Sequence, residues 1–306
     1  MGREIKGYLF IVTATILWGF SGALSKYFFN QALSPLVLAD MRLTLSAGLL
    51  MSFLYLRHPR ILRLAGGDRK KMVLFGVLGV AAVQFCYLHT ISQMNVAAAV
   101  FLLSLSPAFV AIYALVWERE PLSPVSSAAL LLAGTGSALI VTNQVFPGMQ
   151  RPWPGIITGF ASAAAYSFYT LYGKRLLNRY NSWGVLAYGF LFAAVPFWFL
   201  VPPWVVLEHH YNWQTWLFFL YTSVFATIIP FGFYLKGLHY LKPYCASIAG
   251  TLEPVMAGVF AYYLLGETLC GRQLLGCVLI LAAVIILQIE PHLTGPLPPS
   301  RIRTIP

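Results

Sequence analysis

Apolar runs of about twenty residues, each closed by a short polar or proline-bearing stretch, recur along the whole chain. A helix rises about 1.5 Å per residue, so about 20 apolar residues cross a bilayer core of roughly 30 Å. The pattern predicts spans at 7–28, 35–56, 72–91, 97–117, 124–142, 155–176, 183–203, 213–236, 243–265 and 271–290. The breaks carry turn chemistry: Ser34-Pro35, Pro121 with Pro124, Pro147-Gly148, Pro152 with Pro154, and Pro202-Pro203. Met72 to Trp117 is 46 residues without a formal charge, room for two spans, and only Asn95 divides it. The predicted fold class is an all-α integral membrane protein of ten transmembrane helices.

Composition agrees. The chain of 306 residues is 59% hydrophobic and 9% charged, against about 25% charged in soluble domains. A soluble chain this apolar would expose patches it could not hide from water. The net charge of +11 suggests a nucleic-acid partner only until the basic residues are placed. They sit between apolar runs and not along one face, so topology explains them. With the N-terminus inside, sixteen of the twenty basic residues fall in cytoplasmic segments, and the outer loops keep Arg151 and Arg272. Lys26 and Arg42 lie within spans near the outer side. The positive-inside rule places both termini in the cytoplasm and so requires an even number of spans, ten over nine. The expected location is the cell (inner) membrane, with the lipid bilayer as the main partner. Arg3, Lys6 and Ser21-Gly22-Ala23 imitate a signal peptide, but the apolar run Gly7 to Ser25 is long and ends in polar residues that match a later span.

That match belongs to an internal repeat. At a shift of 148 residues, Gly7 meets Gly155, Trp18 meets Tyr166, Lys26 meets Lys174 and Asn30 meets Asn178. At a shift of 147, Tyr87-Leu88 meets Tyr234-Leu235, Ala99 meets Ala246, Pro107 meets Pro254 and Glu120 meets Glu267. The division is 1–146, 147–292 and a cytoplasmic tail at 293–306. Five spans per half is an odd number, so the second half enters the membrane upside down. Two inverted five-helix repeats are the build of many secondary transporters, with the substrate near the midplane between the halves.

The second half carries Ala246-Ser247, Leu252-Glu253-Pro254-Val255, Leu265-Gly266-Glu267, Gln273, Gly276 and the apolar run Val278 to Leu287. The first half repeats this more loosely as Ser106-Pro107, Glu118, Glu120 and Gly134, with Arg42 shortly after Pro35. In order, spacing and duplication the chain resembles the EamA-type transporters of the drug/metabolite transporter superfamily, over nearly its whole length. The resemblance implies a ten-helix basket whose central cavity is walled by spans 1, 3, 4, 6, 8 and 9. It implies alternating access and export of amino acids or other small metabolites. Trp117-Glu118-Arg119-Glu120 departs from the family's usual Leu-Gly-Glu ending.

Charges within spans are expensive, roughly 2.5–3.5 kcal/mol each at a helix centre. Glu253 is the deepest, and two readings stand: a proton-coupling or substrate-amine site, or a structural carboxyl beside Pro254, which frees a backbone carbonyl. Asp40 and Arg42 are too close in sequence to share a helix face, and Asp40 is a candidate partner for Lys26, which otherwise snorkels alone. Thr15, Trp18, Gly22 and Lys26 share one face, as do Ala163, Tyr166, Thr170 and Lys174. Gln84 with Tyr87, and Ser223, Thr227 and Tyr234, make polar-aromatic faces on the third and eighth spans. Such stripes face a cavity or a packed neighbour, not lipid. Trp18, Lys26, Gln84, Tyr87, Tyr166, Thr227 and Tyr234 are therefore the candidate substrate contacts, and Glu253, Asp40 and Arg42 the coupling or structural charges. Ala246, Gly250, Pro254 and Gly258 recur every fourth residue and read as a helix-packing stripe.

The rival class is a membrane-embedded enzyme acting on a lipid-like substrate. It needs a reactive constellation, and no G-x-S-x-G, H-E-x-x-H, aspartate-rich repeat or P-loop is present. Cys86, Cys245, Cys270 and Cys277 make no metal spacing, and adjacent His209 and His210 do not share a helix face. The expectation is no cofactor, no metal and a small-molecule substrate with proton coupling open, in a monomer or homodimer. A channel is more often a symmetric oligomer, whereas an internal repeat supplies its own symmetry. A reporter active only outside the cytoplasm, fused after Met149, is expected to be active, and the same reporter after Pro306 inactive. Opposite results would overturn the topology.

Overall fold

Proline sets where many of these helices begin. Its ring fixes φ, and its missing N–H is one that a first helical turn would leave unpaired anyway. The structure, a computed structural model, describes residues 2–29, 33–93, 96–141, 153–208, 211–265 and 270–294. All regular elements among them are helical. In the first half they are α1 (Gly2–Phe29), α2 (Pro35–Arg57), α3 (Arg69–Leu74), α4 (Ala82–Gln93), α5 (Val96–Leu103), α6 (Ser106–Tyr113) and α7 (Pro124–Val141). The second half adds α8 (Trp153–Leu177), α9 (Ser182–Leu200), α10 (Pro203–Glu208), α11 (Trp213–Ser223), α12 (Ile229–Tyr240), α13 (Pro243–Gly250), α14 (Leu252–Leu265) and α15 (Gly271–Thr294). Pro35, Pro107, Pro230 and Pro243 stand in the first turns of α2, α6, α12 and α13.

Four of the predicted spans are not single α-helices. A π-helical stretch, Phe75–Ala81, joins α3 to α4, and another, Val224–Ile228, joins α11 to α12. These two sit at matching places in the repeat. The fourth span breaks between α5 and α6 and ends in a third π stretch, Ala114–Glu118, while the ninth breaks at Thr251 between α13 and α14. Among the described residues six helical stretches are long and apolar enough to cross a membrane by length and composition, from Glu4–Gly22 to Trp213–Tyr240, and Pro124–Ile140 and Gly271–Leu287 are shorter apolar helices. α8 falls short in mean hydropathy for a physical reason: Ser162, Ser167 and Thr170 are buried, so its polar groups face protein. The outer surface is apolar, with Leu56, Leu131, Phe199 and Tyr263 standing exposed, as lipid-facing positions do.

The main packings run between the halves: α1 on α12 and α14, α4 on α8, α2 on α9, and α7 on α15. Exchanging the halves maps α1 with α12 onto α8 with α4, and leaves α2 with α9 and α7 with α15 as they are. Glycine makes the closest seam possible. A Cβ on Gly136 would lie 2.7 Å from the Gly276 carbonyl oxygen, and one on Gly276 would lie 2.6 Å from that of Gly136. Small residues let membrane helices approach until backbones touch.

A polar lattice ties the loops at the arginine-rich end. Asp68 receives Lys71 Nζ at 2.8 Å and Arg179 Nη1 at 2.8 Å, and the Tyr180 hydroxyl donates to it as well. Tyr188 donates to the Leu62 carbonyl at 2.8 Å. Lys174 Nζ donates to the carbonyls of Leu238 at 2.6 Å, His239 at 3.0 Å and Leu241 at 2.9 Å, capping α12. Lys242 pairs with Glu120 and Arg175 bonds Tyr113, each across the two halves. The Asn30 and Glu267 repeat matches, the dividing Asn95, His209 with His210, and the 146/147 boundary all lie outside the described residues.

The hydrogen bond from Lys71, and after it that from Tyr180, holds the Asp68 carboxyl below its ordinary range. A depressed carboxylate adds stability above its unfolded pKa, about 3.9, and the contribution fades as pH falls through the folded value. Acidification from pH 6 to pH 3 is expected to lower the Tm of the purified protein more steeply than that of Asp68→Asn. Equal acid slopes would contradict this network.

Candidate functional site

Where α5 meets α6 and α13 meets α14, the chain lines a half-open cavity of about 110 Å³. α1 gives it Trp18, α2 gives Arg42, α4 gives Val83, Gln84 and Tyr87, α8 gives Tyr166, and α12 gives Phe231. From the fourth span come Val100, Leu103, Ser104 and Ser106. The ninth contributes Ser247, Gly250, Thr251, Glu253 and Pro254. These are the walls the resemblance implies, with α2 in addition.

The lining follows the internal repeat closely. Val100, Leu103, Ser104 and Ser106 fall on Ser247, Gly250, Thr251 and Glu253 at the shift of 147, and all eight line the cavity. Gln84 falls on Phe231 at the same shift, and Trp18 on Tyr166 at 148. Ser106 and Ser247 hydroxyls meet across the seam at 3.3 Å. Ser104 donates its hydroxyl to the Val100 carbonyl at 2.8 Å, and its repeat partner Thr251 donates to that of Ile248 at 2.6 Å.

Arg42 is the cation of the site and is held by a backbone defect. Pro230 has no N–H to give the Ala226 carbonyl four residues back. A carbonyl left unpaired inside a membrane costs several kcal/mol. Arg42 Nη2 donates to it at 3.2 Å, and Arg42 Nε donates to Thr227 Oγ1 at 3.1 Å. Thr227 in turn donates to the Thr222 carbonyl at 2.8 Å. The π-helical stretch Val224–Ile228 thus presents two acceptors to one guanidinium; π-bulges often mark functional positions. Glu253 lines the same cavity, and among the described residues no ion pair joins it to Arg42.

Of the predicted substrate contacts, Trp18, Gln84, Tyr87 and Tyr166 line the cavity. Trp18 is 8% exposed, and its Nε1 has no hydrogen-bond partner among the described residues. Thr227 and Tyr234 lie behind the wall, both fully buried. Thr227 holds Arg42. Tyr234 shares a hydrogen bond of 2.9 Å with Thr170 and packs its ring 5.9 Å from Trp18 and 5.7 Å from Tyr166. The side chain of Lys26 lies outside the described residues, and with it the Lys26–Asp40 pairing.

Asp40 stands apart from the cavity. A step of two residues turns a helix by about 200°, so Arg42 and Asp40 leave α2 on opposite sides. Asp40 is fully buried; its Oδ1 accepts from Thr44 at 3.2 Å, and Oδ2 has no hydrogen bond among the described residues. Thr44 Oγ1 also accepts from Trp198 Nε1 at 2.8 Å.

The packing stripe on the ninth span divides. Ala246 is buried, but Gly250 and Pro254 line the cavity, and a Cβ on Gly250 would meet only Tyr234 Cε2, at 3.8 Å. Sequence reasoning assigned no ligand role to Ser104, Gly250 or Thr251. The available signal was their place three and four residues before the aligned prolines Pro107 and Pro254.

The sequence profile of the EamA-like transporter family matches the chain twice, over residues 5–142 and 153–289. An uncharacterized inner membrane transporter, YicL, of Salmonella typhimurium (strain LT2) is 28% identical over 295 residues, covering 95% of this chain and 97% of that protein. The threonine/homoserine exporter RhtA of the same organism is 27% identical over 267 residues, covering 86% of this chain and 85% of its own length. A solved crystal structure shares the fold with a TM-score of 0.77 over 95% of this chain and 99% of that one, at 18% identity.

Thr227→Val removes the acceptor of Arg42 Nε without changing side-chain volume. Hydrogen bonds to charged groups contribute about 1.5–3 kcal/mol. The Tm in detergent is expected to fall with Thr227→Val and to stay near wild type with Thr227→Ser; equal Tm values for all three would contradict the assigned tether.

Proposed function

The chain belongs to the EamA-like transporter family, and from that we propose a secondary transporter that exports amino acids or other small metabolites by alternating access around the Arg42–Glu253 cavity. The observation that carries this reading is the cavity's repeat symmetry: residues at equivalent places in two halves line one space. Ten spans in two oppositely inserted sets of five account for it, with both termini in the cytoplasm. Such a duplication lets either half open while the other closes, because each wall has a counterpart able to adopt its position.

The chemistry of the walls suits a zwitterion. Arg42, tethered through Nε and Nη2, keeps further N–H groups for a carboxylate, and a guanidinium is well shaped for one. Glu253 offers the opposite charge, and the two are not spent on each other. Aromatic surface from Trp18, Tyr87, Tyr166 and Phe231 fits the remainder of a small organic solute. The exporter named among the relatives supports a small amino acid as the first solute to test.

The test is flux in proteoliposomes across a panel of amino acids and metabolites, with and without a pH gradient. Arg42→Gln is expected to lower flux of carboxylate-bearing solutes at least tenfold, the size of one lost charge-assisted hydrogen bond. Glu253→Gln is expected to abolish the response to the pH gradient while the protein stays folded. A pH dependence unchanged in Glu253→Gln refutes the coupling role, and product formation without translocation refutes the transporter reading.

A further inference from the structure

Two main-chain carbonyls beside the cavity lack their helical donor, and they are repeat partners. Pro107 has no N–H for the Leu103 carbonyl, and Pro254 has none for that of Gly250. Both Leu103 and Gly250 line the cavity, and Gly250 does so with main chain alone. The turn hydrogen bonds at the two breaks go elsewhere: to the carbonyls of Val100, Leu102 and Leu105 in the fourth span, and to Ile248 in the ninth. Next to each carbonyl stands a hydroxyl, Ser104 or Thr251, whose hydrogen is committed to its own helix. What those hydroxyls have left is lone pairs. The Glu253 carboxylate completes the set.

Every one of these groups accepts. A concave set of carbonyl, hydroxyl and carboxylate oxygens is the surface that takes the place of a cation's hydration shell. We propose that the paired breaks form a binding site for a compact monovalent cation, either the primary ammonium group of a solute or a free alkali ion such as Na⁺. A primary ammonium donates N–H bonds to such acceptors and an alkali ion coordinates them directly, whereas a quaternary ammonium has no N–H to give and holds its charge behind methyl groups. One further observation points the same way. Trp18, 8% exposed, lines the same cavity, and its Nε1 has no hydrogen-bond partner among the described residues; a ligand with a cationic end and an oxygen-bearing end has an acceptor to give. Arg42 lines the same cavity but is already tethered, to Ala226 and Thr227. The ammonium arm of this proposal rests on the transporter reading; cation binding itself does not.

Pro254→Ala and Pro107→Ala each restore one N–H and so cover one carbonyl without changing any charge. Pro196→Ala, in the interior of α9 and away from the cavity, is the control. Purified protein in detergent is titrated with sodium chloride, methylammonium chloride or choline chloride at constant ionic strength, with Tm as readout. Na⁺ or methylammonium is expected to raise the Tm where choline does not, with at least a fivefold weaker apparent affinity in Pro254→Ala and Pro107→Ala and none lost in Pro196→Ala. A response to methylammonium alone identifies an ammonium site, and a response to Na⁺ identifies an ion site. Equal responses to all three salts, or wild-type affinity in both cavity variants, overturn the proposal. Binding without flux in liposomes would leave the cation site standing and remove the transporter reading; flux without any cation effect would do the reverse.

Discussion

A backbone carbonyl in the middle of a membrane must find a donor within the protein, because lipid offers none. Most helices settle this within themselves. This chain places prolines inside four of its spans, and three of them, Pro107, Pro230 and Pro254, create carbonyls around the central site that cannot. One of them, on Ala226, is filled by Arg42. The other two, on Leu103 and Gly250, lie at equivalent places in the repeat and border the same cavity. The position of the cation, the bends of the spans and the polarity of the central space all follow from where those carbonyls fall.

The two sets of defects differ in what completes them. At Ala226 the donor comes from another helix, so the defect locks α2 to the π-helical stretch before α12. At the paired breaks the neighbouring hydroxyls turn their hydrogens back onto their own helices, so the breaks keep acceptors in reserve. One defect serves rigidity and the other two serve recognition. The close seams, Gly136 on Gly276 above all, keep the frame around them tight.

Much of this was legible in the sequence, because lipid makes strong demands on pattern. Six spans among the described residues are apolar enough by length and composition, as the pattern predicts, and the family profile matches once in each half of the predicted repeat. Four of the seven candidate contacts line the cavity, because an aromatic or amide in an apolar helix has few other places to go. Thr227 and Tyr234 share those helix faces but sit one layer deeper; periodicity gives a direction and no depth. The π-helical stretches were invisible, since a shift of the hydrogen-bond register from four residues to five leaves composition unchanged. Gly250 read as a packing residue because spacing cannot tell a glycine that touches a neighbouring helix from one that borders empty space. The Asp68 lattice was hidden because loop charges carry no period at all.

The tether of Arg42 also bears on how the chain is made. Its two acceptors are contributed 184 and 185 residues later in the sequence. At roughly 5–20 residues per second of synthesis, the first half waits some ten to forty seconds in the bilayer with that guanidinium unsheltered. During this interval it must borrow water, lipid headgroups or the insertion machinery. Each newly made molecule therefore passes through a stage at which its central charge is a liability, and only the arrival of the eighth span ends it.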